Sequence, residues 1–457
     1  MIAPARLAAY RTLRAVEAGS ADLPDALARA RTSLEDERDR ALAGEIAIGT
    51  LRWQGAFDHV ISSFAGRPVA RLDLEVLTIL RMSIFQLLHL DRVPAAAVVD
   101  EGVQLARLAG KSSAAGFVNA LLRRVSRERG RLPLPPEPAS PRSTDAAVDY
   151  LATTLSHPRW LVARWLGRHG YDAAASWARF DNAPAPLTLR ANTLTTRREA
   201  LAQRLRDAGV ETEPARFAGD ALVVRSGNPL LTPFARDGCF AVQDEASQLV
   251  GSFVDARPGE VIFDACASPG GKTIQMAAGV SDAGTIVAAD IRGRRLDLLM
   301  RTVTDAKARR VQIVRADARG PLPFPDAAFD AVLVDAPCSG LGTIRRDPDI
   351  RWRRSETDLT KLAMDQGRML DRAALIVKPG GRLVYATCSS EPEENQEVID
   401  AFLSRHADFA VVSPDSFSGS AILAATLDER GFLRTLPFRH GLEAFFAARL
   451  VKANDLR

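Results

Sequence analysis

Two cysteines, a glycine turn and a series of acids carry the chemistry legible in this chain. Asp335–Arg346 reads DAPCSGLGTIRR and Tyr385–Asn395 reads YATCSSEPEEN, so Cys338 and Cys388 each follow closely on an apolar run. A cysteine kept for packing belongs in mid-strand. A thiol just past a strand end is placed for nucleophilic addition, in which the thiolate attacks. Asp264–Thr273, DACASPGGKT, follows another apolar run. Its Gly270-Gly271 pair has no Cβ in the way, so backbone amides can approach a ligand before a helix starts. The turn is neither a Walker loop nor a full G-x-G-x-x-G. Asp290 stands nineteen residues past Gly271, and Asp317 and Asp335 close the next two runs. An acid at such a point can cap a helix, or it can hold ribose hydroxyls. A glycine turn followed by three strand-end acids favours a cofactor built on a nucleoside.

These side chains need a frame. Val261–Ala265, Thr285–Asp290, Val311–Arg315, Ala331–Asp335 and Arg382–Ala386 are short apolar runs, each followed by a turn or helix. That is the pattern of a doubly wound, mainly parallel α/β sheet, which binds ligands at the carboxyl ends of its strands. Upstream, strand Leu187–Ala191, helix Thr196–Ala208 and strands Ala221–Val224 and Cys239–Val242 predict a small α+β module, ferredoxin-like or RRM-like. It lacks the aromatic ladder with which a stand-alone RRM stacks bases. A helix from Ala146 to His169 carries Trp160 and Trp165 as core anchors.

Nearer the start, Leu7, Tyr10, Leu13 and Val16 sit at helical spacing, as do Leu77, Leu80, Ile84, Leu87 and Leu88. With helices at Val98–Leu108 and Gly116–Arg127 they predict an all-α domain. Its last helix ends in Arg123, Arg124, Arg127, Arg129 and Arg131, opposed only by Glu128. Such a run fits a solvated helix end, and equally a phosphate contact that weakens with salt. Five prolines in Leu132–Pro141 predict a stiff linker. The expected division is a helical domain over 1–131, a linker over 132–145, the helix and small module over 146–242, and the α/β domain over 243–457.

Composition narrows the class. With 47% hydrophobic and 25% charged residues, the chain is ordinary globular protein. The most apolar stretch, Leu72–Leu90, is interrupted by Arg81, which argues against a membrane span. Arg6, Arg11 and Arg14 run through what would be the apolar core of a secretion signal, so a helix is predicted there and a cytoplasmic location expected. Four cysteines without metal-ligand spacing predict neither a disulfide scaffold nor a metal site. The net charge of +4 and pI near 9.0 suit an anionic partner. Only six of the 60 cations are lysines, so Lys272 inside the glycine-turn motif stands out against an arginine background. Around Trp352, Arg345, Arg346, Arg351, Arg353 and Arg354 form a basic segment that suits single-stranded nucleic acid.

At these residues the chain resembles a known family. DACASPGGKT, DAPCSGLGT with IRRDPDIRW, and YATCSSEPEEN are similar to the three hallmark motifs of the RNA cytosine-C5 methyltransferases that use S-adenosyl-L-methionine. VQDEAS at Val242–Ser247 resembles their lead-in segment, SHPRWLVARW and LTLRANT their small RNA-facing subdomain, and the N-terminal helices a NusB-type RNA-binding domain. That fusion is the architecture of the bacterial small-subunit (16S) rRNA branch, so the resemblance covers nearly the whole chain. Two departures are minor: Ser268 replaces the second alanine of the cofactor loop, and Glu443-Ala444-Phe445-Phe446 stands where the family has D-G-F-F.

The resemblance implies a Rossmann-like class I methyltransferase that methylates C5 of a cytosine in 16S rRNA, as a monomer. It implies cofactor contacts from Cys266, Ala267, Ser268, Pro269, Gly270, Gly271, Lys272, Asp290, Asp317 and Asp335. Cytosine C5 is a poor nucleophile; a thiolate adding to C6 makes it an enamine that can accept the methyl, after which proton loss and thiol elimination restore the ring. The family pattern makes Cys388 the nucleophile and Cys338 the group that assists release, whereas DNA cytosine methyltransferases attack from a Pro-Cys motif, which would promote Cys338. The residues alone leave both assignments open. Asp335 could contact the base edge. RNA contacts are expected from Arg123, Arg124, Arg127, Arg345, Arg346 and Arg351. The competing functions are a tRNA cytosine-C5 methyltransferase and a non-catalytic RNA-binding or antitermination factor.

Overall fold

The structure is a computed structural model that describes residues 2–139, 144–417 and 420–454. The chain forms two compact units: Met1–Pro184 together with Ile344–Arg354, and Ala185–Thr343 together with Ser355–Arg457. The proline-rich stretch predicted a division at 132–145, of which 140–143 lie outside the described residues. By contact, helices Thr144–Asp149 and Arg159–Asn182 group with the first unit, so the second begins at 185.

The first unit is helical. Seven helices run from Pro4–Glu17 to Ala115–Glu128. Pro4 opens the first, where its missing N–H costs nothing. Asp22 and Asp36 cap the second and third by accepting backbone N–H bonds. Helix Leu74–His89 buries Val76, Leu77, Ile79, Leu80, Met82, Ile84 and Phe85, too many directions for a single amphipathic stripe, so it lies at the centre of the core. Arg81 on this helix is buried and satisfied by Asp58 at 2.7 Å and Glu17 at 3.1 Å. Among the described residues no helix is long and apolar enough to cross a membrane.

The helix predicted over Ala146–His169 is broken. Thr144–Asp149 continues into the wider turn Tyr150–Thr154, Ser156 takes a positive φ of 59°, and a new helix starts after Pro158. Proline cannot donate to the preceding turn, so the break falls there. Trp165 is buried and stacks on Trp177 at 4.7 Å, as a core anchor does. Trp160 is only half-buried.

The second unit holds two sheets. The smaller contains β1 (Thr188–Ala191), β2 (Glu211–Pro214), β3 (Ala221–Ser226) and β4 (Phe240–Val242), antiparallel in the order β2-β3-β1-β4, with helix Arg198–Asp207 against it. This is the predicted α+β module plus one unpredicted strand, the exposed edge β2.

The larger sheet has β5 (Val261–Asp264), β6 (Thr285–Asp290), β7 (Val311–Arg315), β8 (Phe329–Asp335), β9 (Val377–Thr387), β10 (Phe409–Val411), β11 (Leu433–Thr435) and β12 (Phe445–Lys452). Their order is β10-β12-β9-β8-β5-β6-β7, with β11 also on β12. The five strands from β9 to β7 are parallel, and β10, β11 and β12 pair antiparallel. Alternation divides the parallel strands between two cores. Ile262, Ile286, Ala288, Ala331 and Leu333 face one; Phe263, Val287, Ala289, Val332 and Val334 face the other. Both faces are covered, and the free edge of chemistry is the carboxyl end of the strands.

Candidate active site

The glycine turn follows β5. A cis peptide joins Ser268 to Pro269, Gly270 has φ 109°, and helix Gly271–Val280 begins at once. A Cβ on Gly270 would stand 2.9 Å from Leu299 Cδ1 at a φ that L-residues rarely adopt, so glycine is required. Asp264 at the strand end is buried and accepts the Thr273 hydroxyl at 2.7 Å. Burial pushes its carboxyl up to about 7 despite that bond. Loss of solvent, with Asp264, Asp335 and Asp290 nearby, pushes the Cys266 thiol well up, so Cys266 serves the loop as a neutral side chain.

Behind the turn stands Arg190 on β1, which the sequence reading missed. It is buried, and its Nη1 donates to Gly271 O and Gln243 Oε1, both at 2.5 Å. Burial lowers its guanidinium to about 10. The small sheet thus pins the first turn of the glycine-loop helix from below.

The acids fall at consecutive strand ends. Asp290 closes β6 and is buried; Oδ1 accepts the Arg292 N–H at 3.1 Å, while the Arg295 guanidinium is 4.0 Å from Oδ2. Asp317, two residues past β7, is held by Arg319, whose side-chain bonds keep it below the usual carboxylate range. Asp335 closes β8 and receives Lys272 Nζ on Oδ2 at 2.7 Å. Burial opposes the charge of Lys272, but Asp335 outweighs it and the ammonium is held above its ordinary value.

Cys338 and Cys388 follow neighbouring parallel strands, β8 and β9, and their sulfurs are 3.3 Å apart. Both are half-buried. Cys388 hydrogen-bonding, followed by burial and the like charge of a Cys388 thiolate, raises the Cys338 thiol well above its ordinary value. Glu394, with no exposed surface, ties the two loops together. Its Oε1 accepts the Ser339 N–H at 2.8 Å and Gln366 Nε2 at 3.0 Å, and its Oε2 accepts Ser389 Oγ at 2.5 Å. Ser339 and Ser389 each directly follow a cysteine. Gly342 N–H also donates to Cys388 O at 2.9 Å, and Gly342 O accepts the Ala444 N–H at 3.0 Å. The departed turn Glu443-Ala444 therefore braces the cysteine loops through its backbone, a contact that does not need the family's usual residues there.

The basic residues separate. Arg123, Arg124 and Arg127 lie on an exposed helix end. Arg123 and Arg127 border a groove of about 600 Å³ with Arg107, Val99 and Val103; Arg124 sits over the Phe64 ring at 4.2 Å and bonds Glu128. Arg351 corrects the expectation of an RNA contact. It has no exposed surface, and its guanidinium is surrounded by carbonyl oxygens of the helical unit. Arg345 is likewise engaged by Ala183 O and Pro184 O, and Arg346 is half-buried in the same segment.

Known proteins share this architecture. Residues 252–451 match the model described as 16S rRNA methyltransferase RsmB/F, residues 3–127 the NusB family, and residues 157–230 the ferredoxin-like domain of RsmF/B-like methyltransferases. The chain is 34% identical to the probable ribosomal RNA small subunit methyltransferase B of Bacillus subtilis, covering 91% of each chain. It is 34% identical to the ribosomal RNA small subunit methyltransferase B of Pseudomonas putida, covering 98% of each. The chain belongs to the ribosomal RNA small subunit methyltransferase B family. Among solved structures, that of PH0851 superposes with a TM-score of 0.82 at 27% identity over 99% of both chains. A methyltransferase homolog from Pyrococcus horikoshii matches 68% of this chain and 99% of its own at a TM-score of 0.56 and 26% identity. In the family's terms, the paired cysteines, the strand-end acids and the glycine turn all fall within the region matched by the methyltransferase model.

Proposed function

We propose that this protein methylates C5 of a cytosine in 16S rRNA, with S-adenosyl-L-methionine as donor and a transient cysteine–C6 bond. The observation that carries the reading is the 3.3 Å approach of Cys338 and Cys388 at the ends of β8 and β9.

The residues around the glycine turn suit this cofactor. Gly270 turns the chain at φ 109° straight into helix Gly271–Val280, whose N-terminal N–H groups suit an anionic or polar ligand. Asp290 Oδ2, with Arg295 at 4.0 Å its nearest basic partner among the described residues, suits a ribose diol. The loop Cys266–Lys272, Asp290, Asp317 and Asp335 would hold the molecule. When bound, it supplies an electrophilic methyl on a sulfonium.

The protein's own groups order the chemistry. Two thiols at this distance do not both ionise. Cys338 holds its proton, which leaves Cys388 to attack C6. Once Cys388 is in the C–S bond, the neighbouring charge that raises Cys338 is gone, so Cys338 can release its proton to solvent and, as the thiolate, take the C5 proton. The C5–H electron pair reforms the ring double bond and expels Cys388 as the thiolate. Lys272 occupies one oxygen of Asp335, and the other can accept from the cytosine edge as the ring gains electrons. The target base must leave its stack to reach these groups.

The relatives' names favour small-subunit rRNA over tRNA as substrate, and retention of both cysteines and every strand-end acid argues against a non-catalytic factor. The test is methyl transfer to unmodified 16S rRNA with mapping of 5-methylcytosine. A product methylated elsewhere than C5 would overturn the reading.

A further inference from the structure

Arg190 reaches from β1 of the small sheet to the start of the glycine-turn helix. Nη1 donates to Gly271 O and Gln243 Oε1, both at 2.5 Å, and to Gln275 Oε1 at 3.3 Å. The two amides are oriented by their other bonds. Gln243 spends its Nε2 on Ser247 Oγ at 3.0 Å, and Gln275 spends its own on Gln248 O at 3.0 Å and Ser252 Oγ at 2.9 Å. Their oxygens are therefore left for the guanidinium. Gln275 also lies hard against Gly251, where a Cβ would stand 2.0 Å from its Oε1.

Stability alone does not call for this arrangement. Among the described residues, the bonds of Arg190 all go to neutral oxygens, and Nη2 is buried without a partner. A guanidinium taken out of water on those terms is costly. It also stands at the N-terminal end of a helix, where the helix dipole disfavours a cation. What the bond secures is the direction of one peptide. The Gly271 carbonyl and the Lys272 N–H belong to the same planar unit and point opposite ways. That N–H lies in the first helical turn and has no partner within the helix, so it is available to a ligand at the turn. A cation on the carbonyl polarises the peptide and makes the N–H a stronger donor.

We propose that Arg190 is a positioning residue for cofactor binding: from β1 it holds the Gly271 carbonyl and so aims the Lys272 N–H at the bound molecule. The inference rests on the cofactor reading above. It gives the small α+β module a part in holding S-adenosyl-L-methionine, separate from any contact with RNA.

The test uses the full-length chain with Arg190→Met and Arg190→Lys. Arg190→Met leaves the peptide free to turn, and its S-adenosylmethionine dissociation constant is expected to rise about tenfold, the size of one lost hydrogen bond. Titration calorimetry without RNA reads this. Arg190→Lys should recover part of the affinity. The KM for the cofactor should rise with the dissociation constant, while the dissociation constant for unmodified 16S rRNA stays unchanged. If Arg190→Met does not fold, Gln243→Leu, which removes one acceptor that orients the guanidinium, carries the same expectation at smaller size. Unchanged cofactor affinity, or cofactor and RNA affinity falling together without rescue by lysine, overturns the proposal. Parent protein and Asp290→Ala run in parallel separate the two ideas. No cofactor binding by the parent removes the cofactor reading itself; weakened binding in Asp290→Ala beside normal binding in Arg190→Met removes the role of Arg190 alone.

Discussion

The sulfurs of Cys338 and Cys388 stand 3.3 Å apart on loops leaving adjacent parallel strands, each followed by a serine bonded into the Glu394 network. Close contact with Cys388 and burial raise the Cys338 thiol, and the proposed mechanism therefore makes Cys388 the attacker and Cys338 its partner.

This division separates their mutants. Cys388→Ser should abolish methylation and leave no adduct, because a serine hydroxyl is scarcely ionised near neutral pH. Cys338→Ser should still attack and methylate, but release poorly. Denaturing electrophoresis of protein with radiolabelled rRNA reads both. An adduct in Cys388→Ser and none in Cys338→Ser would exchange the roles.

The proposed cofactor site makes Asp290 the partner of a ribose diol. Asp290→Ala should weaken S-adenosylmethionine by about 1.5–3 kcal/mol for each charge-assisted hydrogen bond removed. Titration calorimetry on the folded variant is the check. Unchanged affinity would take Asp290 out of the cofactor site.

Glu394 predicts an asymmetry. Removing its carboxylate by Glu394→Ala leaves the Ser339 N–H, Gln366 amide and Ser389 hydroxyl short of an acceptor, at about 1–3 kcal/mol for each buried group. Glu394→Gln keeps one oxygen for Ser339 and Gln366, and the Ser389 hydroxyl can turn to accept from the new amide. Urea denaturation should therefore show a large loss for alanine and a small one for glutamine. Equal losses would mean that charge, not the bonding pattern, secures the loops.

Much of the site was legible because its signals are local. Cys338, Cys388 and the acids announce themselves by following apolar runs, and the glycine turn by its composition. Arg190, Glu394 and Arg351 were not legible as structural groups. A charged side chain reads as exposed until its partners are known, and those partners lie far along the chain: Gly271 for Arg190, Ser339 for Glu394, Ser156 for Arg351. The final strands were hidden differently. β10 and β11 have three residues each, and Arg449 interrupts β12, where it lies over Phe417 and pairs with Asp255.

The bonds of Trp352 and Arg351 to the helices also change how the N-terminal domain should be tested. Deleting 1–131 removes the Leu51 and Arg52 carbonyls that accept from Trp352 and Arg351, so a fall in activity would not report on RNA affinity alone. Arg123→Glu with Arg127→Glu on the groove rim leaves those bonds intact. It should weaken rRNA binding and flatten its dependence on salt, by about 0.7–0.9 in the log–log slope for each phosphate no longer neutralised. Filter binding from low to high salt measures this, and an unchanged slope would place the RNA elsewhere.

Asp264 makes stability depend on pH in an unusual direction. Its ordinary value of 3.8 is raised to about 7 in the fold, chiefly by burial. Between those values the folded protein keeps a proton that the unfolded chain has released, so stability from this group is full below about pH 4 and is lost progressively as pH rises to about 7. The ionised fold bears a penalty on the order of 4 kcal/mol. Asp264→Asn cannot ionise and can still accept the Thr273 hydroxyl. In cofactor-free protein, the variant should gain stability relative to the parent as pH rises from 5 to 8, with little further change above. Thermal unfolding at a series of pH values gives the comparison directly. A difference that stays constant with pH would show that Asp264 does not titrate across this range, and that Thr273 and the surrounding backbone N–H groups hold it ionised throughout.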